Sequence, residues 1–153
     1  MQNHRELRVW KHAHELAVRV RMATADFPAT GYSSLQSQAV RSAESIVFNI
    51  AEGCGAMSQR EFARFLGISI KSTLELEAQC ELAKDYGVLG DSDWQDLEAR
   101  AISTRRMLFA LRKKVLLSPH SKRLSKGPPT SRRSPFPSCA GAARNGMDTD
   151  QQR

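Results

Sequence analysis

Apolar residues recur along the first 117 positions at spacings of three and four, in four blocks separated by turn residues. That period marks amphipathic helices. In the first block Trp10, Ala13, Ala17, Val20 and Phe27 share one face, widened by Val9, Leu16 and Ala23, which predicts a helix from about Arg5 to Asp26. Arg8, Lys11, Glu15 and Arg19 fall mainly outside that face. A second, weaker row of His14, Val18, Met22 and Ala25 suits either ordinary surface or contact with a neighbouring subunit. Phe27-Pro28 ends the element, because the residue before a proline avoids the α region.

Ala29 to Ser34 reads as a loop, and Ser33 with Gln36 makes a capping box for the second helix. That helix contains the most distinctive run of the chain, RSAESIVFNIAEGCG, Arg41 to Gly55. It is apolar around most of its circumference and so must be covered on several sides, which makes it the central helix of a bundle. Its predicted stop is Gly53 in the left-handed position after the cap. Ser58-Gln59-Arg60-Glu61 is a capping box that opens the third helix. Phe62, Phe65, Leu66, Ser69, Thr73, Leu76, Cys80 and Ala83 form its inner face, and Gly87 ends it. The fourth starts near Asp91 or Ser92, and its stripe alternates spacings of 3 and 4 through Trp94, Leu97, Ala101, Thr104, Leu108, Leu111 and Val115. Such a seam suits left-handed packing at roughly 20° between helices. The expectation is an all-α, up-down-up-down antiparallel four-helix bundle over residues 1–117. Residues 118–153, with five of the six prolines and little apolar material, are expected to form a disordered tail.

Charge changes that picture only at the C-terminus. Residues 1–117 hold 16 Lys and Arg against 14 Asp and Glu, whereas residues 118–153 hold 7 against 2. The body is thus near neutral, which weakens any case for nucleic-acid binding by net charge alone. Three cysteines without paired spacing indicate neither a disulfide framework nor a zinc site. The N-terminus is polar, without the apolar core of a signal peptide, and no apolar run approaches the ~20 residues of a membrane span, so a cytoplasmic location is expected.

With the helices placed, the chain resembles the four-helix bundle family that includes proteins encoded in intervening sequences of bacterial large-subunit ribosomal RNA genes. The resemblance spans about Leu7 to Leu116. It rests on VWKHAHEL at Val9 to Leu16, on Phe27-Pro28, and on the run Arg41, Ala43, Ser45, Ile46, Asn49, Ile50, Ala51, Glu52 and Gly53. Phe62, Arg64, Phe65, Leu66, Ser72, Glu75, Leu76 and Gln79 match the helix-three pattern. Where the family commonly has small residues, often Ala-Leu-Gly, this chain reads Ser69-Ile70-Lys71. The resemblance implies a cytosolic helical subunit that assembles into a closed ring, often a pentamer. A distant relative with the same bundle, the accessory protein of diversity-generating retroelements, resembles a basic ring that binds a reverse transcriptase and nucleic acid.

Arg41, Ser45, Asn49 and Glu52 share one helical face, and Arg64, Ser72, Glu75 and Gln79 on the third helix are complementary in type and spacing. These eight residues are expected to form a structural polar network between the two helices rather than an active site, since acid–base chemistry needs a poised pair in a cleft. His12 and His14, two apart on a helix, point in opposing directions and do not share a metal. Cys54 reads as a small loop cysteine without a local histidine to activate it, and Cys80 as core. Arg105, Arg106, Arg112, Lys113 and Lys114 on the fourth helix, with the tail's Lys122, Arg123, Lys126, Arg132, Arg133 and Arg144, are the only features pointing to a polyanion. Binding through them would be phosphate-led and salt-sensitive. The sequence therefore suggests a non-enzymatic, cofactor-free, homo-oligomeric scaffold or adaptor with RNA as a candidate partner. The alternative is a nucleic-acid-binding module built on the helix-four row and the tail.

Overall fold

The computed structural model describes residues 3–118. The predicted tail from residue 119 onward, with its basic residues, lies outside the described residues. A 3-10 turn at His4–Glu6 precedes four helices: α1 (Arg8–Ala23), α2 (Ala29–Cys54), α3 (Gln59–Asp85) and α4 (Asp91–Leu117). Each packs on its chain neighbours, and α4 returns to α1 to close a four-sided bundle. Cross-helix contacts run in opposite sequence directions: Ser45 meets Ser72 while Ser42 meets Glu75, and Arg19 meets Asp96 while Arg100 meets Glu15. Arg105 with Glu77 and Arg112 with Ala63 give the same sense between α3 and α4. Neighbouring helices are therefore antiparallel.

The core follows the predicted stripes. Leu16, Val20, Ile46, Ile50, Leu66 and Leu108 are wholly buried, and Leu76, Leu97 and Ala101 nearly so. Trp94, Leu111 and Val115 finish the α4 seam as partly buried residues packed on this core.

The ends of the helices differ from the sequence reading in four places, both ends of α1 and both ends of α2. The first helix is shorter, because Leu7 is extended and separates the Asn3-capped 3-10 turn from α1. Its other end comes at Thr24, whose hydroxyl donates to the Val20 carbonyl at 2.9 Å. The predicted Ser33–Gln36 capping box does not form. Instead Gln36 Nε2 donates to the Thr24 carbonyl at 2.7 Å, so it satisfies the end of α1 rather than the start of α2. The chain enters α2 through Thr30 and Gly31, which leave helical geometry, with Gly31 at φ +90°. Gly53 is not a left-handed cap but a buried helical residue, and α2 continues through Cys54 to a cap at Gly55 with ordinary right-handed geometry. By contrast, Ser58 caps α3 as read: its Oγ accepts from the Glu61 amide, and the Glu61 carboxylate accepts from the Met57 amide, both at 3.1 Å. At the other end of α3, Gly87 stands at φ +72°, and Gly87 and Val88 donate back to the Lys84 and Ala83 carbonyls.

Candidate functional site

The α2–α3 contact carries the polar residues of the distinctive run. Ser45 and Ser72 share a hydrogen bond of 2.9 Å between their hydroxyls, and Asn49 Nδ2 donates to the Ser45 carbonyl and hydroxyl at 2.8 and 3.1 Å. One turn earlier the Ser42 hydroxyl donates to Glu75 at 3.4 Å. Deeper in, Ser69 is fully buried and donates to the Ile46 carbonyl at 3.2 Å. Of the eight residues expected to form one network, then, Ser45, Asn49 and Ser72 meet, and Glu75 joins through Ser42 instead.

The other four stand apart. Arg41 turns back to the Ser37 carbonyl at 3.3 Å and, with Arg21, borders an open groove between α1 and α2. Glu52 is exposed. Arg64 is exposed too, and lies 5.6 Å from the centre of the Phe65 ring. The side-chain oxygen of Gln79 is buried without a hydrogen-bond partner among the described residues. A helix offers only a narrow strip to its neighbour, and Arg41, Glu52 and Arg64, at the margin of that strip, reach solvent rather than across it.

At the end of α2, Gly53 lets the helix lie close against the start of α3. A Cβ built there would lie 2.7 Å from Cδ2 of Phe62 and 3.0 Å from Cβ of Phe65. The neighbouring Cys54 is buried at the end of α2 rather than in a loop, and burial pushes its thiol above the ordinary value. Cys80 is pushed up to about 12, first by burial and then by the Glu77 charge. A thiol held protonated is a poor nucleophile.

The basic row of α4 divides as well. Arg105 Nε donates to Glu77 at 2.7 Å and Arg112 Nε to the Ala63 carbonyl at 3.1 Å, so both tie α4 to α3. Arg106, Lys113 and Lys114 are exposed. Arg112 also borders an open groove at the start of α3, where Arg60, Arg64 and Leu116 converge. Arg60 is the functional candidate that sequence reasoning missed, since within Ser58-Gln59-Arg60-Glu61 it reads as part of a cap. The signal was its spacing of four from Arg64, which puts both on one face.

At the opposite end of the bundle Arg19 and Arg100 are neutralised. Arg19 bridges Asp93 and Asp96, and Arg100 bridges Asp96 and Glu15. Burial raises the Asp96 carboxyl, but hydrogen bonds from Arg100 and Arg19 outweigh this and hold it below the usual range. His14 stacks on Trp10 at 5.2 Å, and no group of three or more potential metal ligands occurs among the described residues. No helix among them is long and apolar enough to cross a membrane.

The comparisons agree with this architecture. The family model for the 23S rRNA-intervening sequence protein matches residues 5–110. A crystal structure of a protein of unknown function from the S23 ribosomal protein family, from Bacteroides thetaiotaomicron, superimposes with a TM-score of 0.63. It is 23% identical, and the match covers 69% of this chain and 98% of that one, which establishes a shared fold. No curated protein matches significantly.

Proposed function

The chain belongs to the family of 23S rRNA-intervening sequence proteins, and on that premise we propose that it acts without catalysis, as a self-associating cytoplasmic scaffold or adaptor. The observation that carries this reading is the outer row of α1, where Val18 is 46% and Met22 61% exposed. Apolar side chains aligned on an outward helix face favour contact with another subunit. A closed ring, pentameric in the form that the family resemblance suggests, would bury that row on every copy. The polar α2–α3 seam supports a non-catalytic role, because Ser45, Asn49 and Ser72 bond to one another rather than facing a cleft. Sedimentation at micromolar concentration tests the reading: an assembly of several subunits is expected, and Val18→Glu with Met22→Glu should shift it toward monomer. A clean monomer for the unmodified chain overturns it.

A second reading, that the scaffold engages RNA, is favoured by the separation of charge along the bundle. Arg60, Arg64, Arg112, Lys113 and Lys114 gather where α3 begins and α4 ends, and Asp85, Asp91, Asp93 and Asp96 gather at the other end. One end thus attracts polyanions even though the body as a whole is nearly neutral.

A further inference from the structure

Three arginines from two helices, Arg60, Arg64 and Arg112, border the open groove at the basic end, and none of them is paired with a carboxylate among the described residues as Arg19, Arg100 and Arg105 are. Arg19, Arg100 and Arg105 each reach a carboxylate at 3.0 Å or less. Arg60, Arg64 and Arg112 reach none within ion-pair distance among the described residues. The one carboxylate bordering the groove, Glu61, has an oxygen engaged by the Met57 amide. Arg112 is fixed by its Nε bond to the Ala63 carbonyl, a contact that leaves the two terminal nitrogens of its guanidinium as donors. Arg60 and Arg64 stand one turn apart on α3, about 6 Å along the axis, within the span of consecutive phosphates on a nucleic-acid strand. Leu116, 38% exposed, adds an apolar wall.

We infer that this groove is a phosphate-binding site for the backbone of single-stranded RNA, with Arg60 and Arg64 each taking one phosphate and Arg112 positioned across from them. The inference rests on the RNA reading above and gives it a place. Guanidinium groups match phosphate oxygens with two donors each, and a half-apolar open groove admits a single strand, whose bases are not enclosed in a duplex. Recognition of this kind is led by phosphates and reads little sequence.

The test uses the full chain and a fluorescent single-stranded RNA of about a dozen nucleotides, with anisotropy measured across a range of salt concentrations. Arg60→Gln with Arg64→Gln should weaken binding about tenfold or more and flatten the salt dependence by about 1.4 in log–log slope, the value for two phosphates of a single strand. Arg5→Gln with Arg8→Gln removes the same charge from the same end outside the groove and should leave that slope nearly unchanged. Inorganic phosphate at millimolar concentration should compete poorly with RNA, since one ion fills only one of the subsites. Full displacement by phosphate would make this an isolated-anion site and overturn the backbone assignment. Equal losses in the two double variants would mean diffuse charge and would overturn the groove. RNA bound as tightly by Arg60→Gln/Arg64→Gln as by the unmodified chain would overturn the groove while leaving the RNA reading standing. An unmodified chain that binds no RNA overturns both. Arg60 and Arg64 are exposed, so circular dichroism should show an unchanged fold in the groove variant.

Discussion

Gly53 shows how one atom sets a helix-to-helix distance. Replacing it by alanine would gain up to about 1 kcal/mol of helix propensity, but would set a methyl 2.7 Å from the Phe62 ring and 3.0 Å from Phe65 Cβ. Overpacking of that kind typically costs about 1–3 kcal/mol, so Gly53→Ala should be destabilising by about 1 kcal/mol in urea titration. A more stable variant would mean that the Phe62 ring swings aside freely. Cys80 makes a second case. Its thiol is pushed from an ordinary 9.0 up to about 12 in the folded chain, so above pH 9 the unfolded state releases a proton that the folded state keeps. Stability contributed by this group is complete below pH 9 and is lost as pH rises toward 12, by at most about 1.4 kcal/mol per unit. The stability of the unmodified chain relative to Cys80→Ala should therefore fall over that interval, and a constant difference would contradict the assignment. Neither the Gly53 contact nor the burial of Cys54 was legible in the sequence. A glycine and a cysteine near a helix end look the same whether they stop the helix or face a partner, and only the aromatic ring across the gap decides.

At the scale of elements the sequence was most readable where a regular period met one buried neighbour. The α4 seam from Trp94 to Val115 and the Ser58 cap are both set by local spacing, and both stand where the pattern put them. The paired basic residues were harder. Arg105 and Arg112 sit in the same row as Arg106 and Lys113, and nothing local reveals that Glu77 and the Ala63 carbonyl lie opposite. The Arg105–Glu77 pair is only partly exposed, with side chains at 29% and 22%, so it should couple more strongly than an open surface pair, for which 0.2–1 kcal/mol is usual. A double-mutant cycle with Arg105→Ala and Glu77→Ala should give about 1 kcal/mol, decreasing modestly with salt. A coupling of zero would show that the bond does not hold α3 to α4 in solution. The same logic explains the partial network: Ser45 and Asn49 lie on the strip that α2 turns to Ser72 of α3, whereas Arg41 and Glu52 lie beyond its edge.

For the molecule as a whole, the four-sided bundle was legible because every helix packs on its neighbours in the chain and the connections are short. The distribution of charge over its two ends was not, because net charge is a sum and discards position. Only the antiparallel order brings the basic finish of α4 beside the start of α3, and the acidic start of α4 beside the end of α3. That arrangement gives each molecule a large permanent electric moment along a bundle about 40 Å long. At low ionic strength, where screening extends to about 30 Å, the basic end of one molecule attracts the acidic end of the next. The chain should then stack head to tail into short columns that disperse near physiological salt, where screening shrinks to about 8 Å. In a ring whose axis follows the helices, all the basic ends would lie on one rim, giving the assembly two electrically unlike faces.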